Sequence, residues 1–328
     1  MSDSQIKSLL AHYRLHNRNA ITHIIRSAVS LGIIDALSEG QKTLDQLAKQ
    51  LELKTDPLLL VMNILIETEL VEQYEDDYAL STVARLIPRQ LRDFGDFHWS
   101  HLGDFVRTGV NLPNDDAVPV TDADFLANAQ ATEWLATPAA LDAAQVLDFG
   151  ETRKAMRVLE IGSGSAVFGV TLIHRDPESR LVLLDNEAGL RAAQKTVEGV
   201  GVEDRVDLVE GNYLEPDLGD DQFDMVLMAG LLHRHSMETC QTIFSTAHRL
   251  LKPAAEMVVV DIFPGQDQGE LNYRIAELEV RLRSANGQLH DPALMEHEMI
   301  MQGFDQVRYA HLPAAPYFWG LILAVRDE

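Results

Sequence analysis

Five short β-rich runs, Val158 to Ile161, Leu181 to Leu184, Val206 to Val209, Phe223 to Met228 and Met257 to Ile262, alternate with helical stretches along the second half of the chain. Strands that alternate with helices are joined by crossovers, so they lie parallel in a doubly wound α/β sheet. After Gly303 come two more strand-like runs, Phe304 to Leu312 and Tyr317 to Val325, separated by Pro313-Ala-Ala-Pro316. These predict a terminal hairpin that puts one antiparallel strand into an otherwise parallel sheet.

The first ninety residues carry a different period. Ile21, Ile24, Ile25, Ala28 and Leu31 recur at helical spacing, and Gly32 followed by Ile33, Ile34, Ala36 and Leu37 marks a helix end and a second short helix. Thr43 and Gln46 have the spacing of a capping box, opening a helix with Leu44, Leu47, Ala48 and Leu51 on one stripe. Asp56 with Pro57 at the first helical position starts another helix, Leu58 to Thr68, apolar nearly all round and therefore expected to be buried. Leu70 to Tyr74, the acidic turn Glu75-Asp76-Asp77 and Tyr78 to Leu80 read as a hairpin. Three helices and a hairpin make a winged helix. Residues 91–150, with Phe94, Phe97, Trp99, Phe105 and Trp134 among helical-looking pieces and a loop over Asn111 to Asp116, are read as a connecting region. The expected division is 1–90, 91–150 and 151–328.

A winged helix raises the question of DNA, and charge answers it. The chain of 328 residues carries 27 Lys plus Arg against 51 Asp plus Glu, a formal charge of -24. No Lys or Arg stands between Lys54 and Arg85, whereas Asp56, Glu67, Glu69, Glu72, Glu75, Asp76 and Asp77 cover the would-be recognition helix and wing. Such a surface has no counterions to release from a duplex, so nucleic acid is excluded as a partner and packing or dimerisation is the expected role. No apolar run approaches the ~18 residues that span a bilayer, and the N-terminus lacks a basic segment followed by an apolar one. With a single cysteine, Cys240, and no Cys/His cluster at zinc spacing, a cytoplasmic, disulfide-free and metal-free protein is expected.

The chemistry concentrates after the first strand of the alternating half. Val158-Leu159-Glu160-Ile161 runs into Gly162-Ser163-Gly164-Ser165-Ala166-Val167-Phe168-Gly169 and then a helix, an arrangement that lets a nucleotide approach bare backbone. Asp185 ends the next strand, 21 residues beyond Gly164, where an acid meets ribose hydroxyls. A pyrophosphate wants donors and no carboxylate nearby. Glu160 at the loop entrance, the lack of Lys or Arg from Val158 to Ile173, and Val167 in place of the third fingerprint glycine suit a cationic, phosphate-free ligand instead. S-adenosylmethionine (SAM), with its sulfonium and ammonium, is such a ligand, and it is favoured over NAD.

Leu31-Gly-Ile-Ile-Asp-Ala-Leu37, Thr43-Leu-Asp-Gln-Leu-Ala48, Tyr78-Ala-Leu-Ser-Thr-Val-Ala84, Asp148-Phe-Gly150, Glu160-Ile-Gly-Ser-Gly164, Leu184-Asp185 and Leu232-His233 together resemble one family over nearly the whole chain. It is the SAM-dependent small-molecule O-methyltransferases with an N-terminal dimerisation domain, found in plant phenylpropanoid and bacterial secondary metabolism. The resemblance implies a Rossmann-like α/β domain with a terminal antiparallel hairpin behind a mostly helical winged-helix domain. It also implies a homodimer and a small-molecule acceptor held between the domains. Carried over by position, the cofactor contacts fall on Glu160, Gly162, Ser163, Gly164, Asp185, Asn186, Asn212, Tyr213, Met228 and Ala229. Asn212 also reads as a turn residue and Met228 as core.

The family's catalytic base is a histidine in a His-Asp-Trp segment after the fourth strand, and that slot reads Leu232-His233-Arg234-His235-Ser236. The resemblance makes His233 the base and Asp261 the acid that holds its tautomer. The family's second acid falls on Pro292 or its neighbour Asp291, and Asp291-Pro292 also has the form of a helix cap. For the acceptor pocket the resemblance points to Phe97, His98, Trp99, Phe105, Trp134 and Tyr273, with His101 and His290 further off, although an aromatic at helical spacing is usually packing. Arg234-His235 in place of Asp-Trp keeps other readings open. A thioether, thiolate or reactive carbon attacks a methyl group without a strong base, and a SAM-binding regulator would not turn over at all.

Overall fold

Ser2 accepts a hydrogen bond from the Gln5 N–H while the Gln5 side chain returns to the Ser2 N–H, and this capping box opens a 28-residue helix, Asp3–Ser30. Sequence periodicity detects only the part from Ile21 on, because residues 2–20 are all exposed. The computed structural model describes residues 2–86, 96–110, 122–220, 222–264, 270–313 and 319–328. It divides into two compact units, 1–96 and 97–328.

In the first unit Gly32, at φ 77°, takes the left-handed conformation that lets the chain leave the long helix and enter a second, Ile33–Ser38. Thr43 and Gln46 form the expected capping box on the helix Leu44–Gln50. The next helix, Thr55–Glu67, starts earlier than its sequence suggests: Lys54 is the N-cap, so Pro57 stands at the third helical position, still within the turn whose N–H groups have no intrahelical partner. This helix is not buried all round. Leu58, Met62 and Leu65 form the buried stripe, whereas Leu60 is 66% exposed, because the unit is too small to cover more than one face. Strands β2 (Val71–Tyr74) and β3 (Asp77–Leu80) form the hairpin, and β1 (Lys42–Thr43) pairs antiparallel on the far side of β3. The result is a winged helix whose core joins Ile25, Ala28, Ile33, Leu37, Leu47 and Leu65.

The second unit is built on a seven-stranded sheet of order β6-β5-β4-β7-β8-β10-β9. Its strands are β4 (Arg157–Ile161), β5 (Arg180–Asp185), β6 (Val206–Glu210), β7 (Phe223–Ala229), β8 (Leu251–Ile262), β9 (Phe304–His311) and β10 (Trp319–Arg326). Strands β4 to β8 are parallel and β10 is antiparallel to both β8 and β9, so one strand opposes the rest, as the sequence predicts. Strand β8 begins six residues ahead of the sequence pattern. Leu251 pairs with Phe223, then the register shifts so that Met225 faces Glu256, and the exposed residues between break the apolar run. One face of the sheet packs under the alanine-rich end of the helix Asp122–Val146 and the helix Val167–Arg175, and the other under Met237–Leu250 and Pro292–Met301. The expected loop at Asn111 to Asp116 lies outside the described residues. Among the described residues no helix is long and apolar enough to cross a membrane.

Successive strands run outward from β4 through β5 to β6, then return to its other side with β7 and β8. At such a reversal the loops leaving the strand ends part, and they open a crevice between β4 and β7.

Candidate active site

The loop after β4 turns on two glycines in the left-handed region, Gly162 at φ 66° and Gly164 at φ 50°. A Cβ on Gly162 would sit 2.9 Å from the Leu231 side chain, whereas one on Gly164 would meet nothing within 4 Å, so the loop is closed on the side of β7 and open at Gly164. Ser163 between them is 7% exposed and its Oγ is buried with no hydrogen-bond partner among the described residues. Asp185, at the end of β5, accepts from the Gly164 N–H at 2.8 Å and from the Asn186 N–H at 2.7 Å. Asn186 caps the following helix by accepting from Gly189 N–H, and only glycine fits at 189, where a Cβ would lie 2.3 Å from the Asp185 carboxyl carbon.

Glu160 lies beneath the loop, not on its rim. It is 1% exposed and accepts from the Gly169 N–H at 3.1 Å, and a Cβ on Gly169 would be 2.4 Å from its carboxylate oxygen. Burial pushes its carboxyl up to about 8; the Gly169 N–H works against this and the negative charge of Asp185 adds to it.

Across the crevice, β7 ends at Ala229 and a single 3-10 turn, Leu232–Arg234, presents His233. Its Nδ1 is 2.6 Å from Oδ1 of Asp261, the next-to-last residue of β8. Asp261 is 2% exposed and also accepts the N–H groups of Leu232 (2.7 Å), His233 (3.1 Å) and Ile262 (2.7 Å). Burial would raise its carboxyl, but the His233 imidazole and these backbone donors outweigh that and hold it below the usual range. A carboxylate so placed fixes the proton on Nδ1 and leaves Nε2 as the acceptor nitrogen.

Two family models match this chain, a methyltransferase domain over residues 158–254 and an O-methyltransferase dimerisation domain over residues 13–89, together more than half of it. The chain belongs to the SAM-dependent O-methyltransferase family. Its fold is shared along its full length by human N-acetylserotonin methyltransferase, solved in complex with SAM, at 19% identity, 100% coverage of both chains and TM-score 0.76. The pyocyanin biosynthetic protein PhzM is similar at 16% identity, covering 98% of this chain and 100% of its own, with TM-score 0.78. A putative O-methyltransferase from Nostoc punctiforme gives 20%, 99% of each chain and 0.74.

For this methyltransferase the residues present fit SAM. The Ser163 hydroxyl, which has no hydrogen-bond partner among the described residues, the bare Gly164 edge and the Asp185 carboxylate at the strand end supply polar partners for a ligand. The loop itself carries no Lys or Arg to pair with a phosphate.

The other nominated residues are placed as follows. Asn212 is exposed and accepts from Leu214 N–H, making a turn, while Tyr213 donates or accepts at 2.8 Å with His235 Nε2. Burial, followed by the charges of Arg234 and His233, lowers the His235 imidazole. Met228 is buried in the sheet core and Ala229 is half-buried at the strand end. Asp291 is exposed and caps the helix Pro292–Met301, accepting from Ala293 and Leu294, so its carboxylate is committed to backbone. His98 is buried, Trp99, His101 and Phe105 are half-buried, and Tyr273 has the Arg274 guanidinium 5.2 Å from its ring centroid. The side chains of Phe97 and Trp134 lie outside the described residues. Sequence reasoning missed the contact of His290 with the His233 turn and the packing roles of Gly169 and Gly189, whose one signal is a glycine early in a helix after a strand-end acid.

Proposed function

We propose that this protein methylates a hydroxyl of a small organic acceptor, with His233 as general base and Asp261 as the residue that orients it. The observation that carries the reading is the 2.6 Å contact between His233 Nδ1 and a fully buried Asp261 held in the anionic form. Gly162, Ser163, Gly164, Asp185 and Asn186 would hold SAM, with Tyr213, Met228 and Ala229 along the neighbouring strand ends. When bound, SAM would supply a methyl group on a positively charged sulfur, whose bond to that carbon breaks to leave the neutral thioether S-adenosylhomocysteine. His233 Nε2 takes the hydroxyl proton as the oxygen–carbon bond forms, because a neutral hydroxyl is a poor nucleophile. Asp261 steadies the imidazolium that results and, through the Leu232 and His233 N–H groups, fixes the turn that carries it.

A homodimer through the N-terminal unit fits the dimerisation-domain match and the exposed Leu9, Leu10 and Tyr13 of the long first helix. A cytoplasmic setting fits the lone Cys240, which is buried and unpaired.

The test is a panel of phenols, enols, carboxylic acids and thioethers, read by the mass of one added methyl group. His233→Ala should lower turnover of a hydroxyl acceptor by about 10²- to 10⁴-fold while calorimetric affinity for the demethylated cofactor, S-adenosylhomocysteine, is unchanged. Full turnover by that variant overturns the base assignment.

A further inference from the structure

Asp261 takes the N–H groups of the His233 turn; a second segment, 284–290, takes its carbonyls. His290 Nε2 lies 3.0 Å from the Leu232 oxygen and 3.1 Å from the His235 oxygen. The Gln288 N–H donates to the His233 oxygen at 2.9 Å, and Ser284 Oγ donates to the Arg234 oxygen at 2.8 Å. Four consecutive carbonyls are thus met from one stretch of chain some fifty residues downstream. From within, the 3-10 turn meets only the Leu232 oxygen, which accepts the His235 N–H at 3.0 Å; the carbonyls after it have almost no helix beyond them to donate.

His290 is the buried member of this set, 4% exposed, with the Cys240 sulfur 3.5 Å from the same Nε2. Two carbonyl oxygens can be met only by an N–H, so Nε2 carries the proton. Nδ1 is then left to accept from the Gln288 side-chain amide at 3.2 Å. The hydrogen-bond network therefore fixes the tautomer.

We propose that His290 is a positioning residue for His233: its Nε2–H, shared between the Leu232 and His235 carbonyls, pins both ends of the turn and keeps the His233 ring on Asp261. This rests on the reading of His233 as the base. Removing the donor leaves the His235 carbonyl short of a partner and the Leu232 carbonyl without its second donor, with the His235 N–H still on it, and the turn relaxes toward other donors. A shift of about 1 Å in a catalytic group costs on the order of 10²-fold in rate.

The experiment compares His290→Met, which keeps the bulk without the donor, with His290→Gln, whose amide N–H reaches the same carbonyls, alone and with His233→Ala. Three readouts are taken: turnover of the hydroxyl acceptor that gains a methyl group in the panel, calorimetric affinity for S-adenosylhomocysteine, and the downfield proton line of His233 Nδ1–H, identified by its loss in His233→Ala. The expected result for His290→Met is a kcat lower by about 10- to 100-fold, with KM and cofactor affinity within about twofold and the downfield line shifted and broadened. His290→Gln should recover most of the rate, and the double variant should be no slower than His233→Ala. Unchanged kcat and an unmoved line in a folded His290→Met overturn the proposal, as does a double variant slowed by the same factor as the single one. If His233→Ala keeps full turnover, the base reading fails; the proton line still reports whether His290 sets the turn.

Discussion

Glu160 and Asp261 hold equivalent places on the two sides of the crevice. Each is the next-to-last residue of a parallel strand, and each is buried to within 2%. Their carboxyl groups nonetheless lean in opposite directions, Glu160 up to about 8 and Asp261 below its ordinary value. Depth is the same, so depth does not decide. Glu160 has one backbone donor, Gly169, and a like-charged neighbour in Asp185, whereas Asp261 has three backbone donors and an imidazole. The sign of the neighbouring charge, His233 beside Asp261 and Asp185 beside Glu160, and then the donors aimed at it set whether a buried acid is kept as an anion. The β4 side therefore carries an acid that shapes a loop, and the β8 side carries an acid kept as an anion against the His233 ring.

The largest effect expected from breaking this comparison is at Asp261. Asp261→Ala removes the partner of three N–H groups and an imidazole in a dry site, and should cost about 3–5 kcal/mol of stability, measured by urea unfolding at neutral pH. The folded-state value is depressed, so the wild-type contribution is fully present above the ordinary aspartate range and is lost as pH falls through the lower folded-state value. Asp261→Asn should flatten that acid limb. An Asp261→Ala variant within about 1 kcal/mol of wild type would show that the turn is held without this carboxylate.

Glu160→Gln should do the reverse. With the folded-state value raised, the stability linked to the Glu160 proton is fully present below the ordinary glutamate range, about 4.3, and declines until pH passes about 8. Over that window each pH unit costs the wild type about 1.4 kcal/mol, while glutamine, which does not ionise, loses nothing. Melting curves at pH 6 and pH 9 should therefore find the variant gaining on wild type by a few kcal/mol at the higher pH. Parallel curves would mean that Glu160 is already ionised in the folded protein.

How far this arrangement can be read in the sequence follows from the range over which each signal acts. Strand–helix alternation is local and repeats, so the parallel sheet and its antiparallel β10 were legible. The glycines at 162 and 164 and the acid at 185 were legible because bare backbone and a strand-end acid sit at fixed offsets. The first half of the helix Asp3–Ser30 left no periodic trace, since it buries nothing in its own unit. His233 and Asp261 came from family resemblance, as a contact across 28 residues leaves no local mark. His290 was hidden more thoroughly: its partners are carbonyl oxygens 55 and 58 residues away, and any residue supplies a carbonyl. Asp291 shows the opposite limit, where one dipeptide served both a cap and a family acid, and the structure finds it capping a helix.

The smallest effect sharpens the comparison at the loop. Among the described residues the buried Ser163 hydroxyl has no partner, whereas both oxygens of the nearby Asp185 have a backbone donor. An unmet buried hydroxyl contributes nothing to the folded state that a methyl group would not, so Ser163→Ala should leave stability within about 1 kcal/mol or raise it slightly. If that hydroxyl is aimed at the ligand, the same change removes one hydrogen bond from the complex, worth about 1 kcal/mol, and calorimetry should find S-adenosylhomocysteine binding weakened by about fivefold. Loss of affinity without loss of stability is the signature of a group reserved for a ligand. Unaltered affinity would return Ser163 to the scaffold alongside Glu160 and leave Asp185 and the bare backbone at Gly164 as the polar contacts of the β4 side.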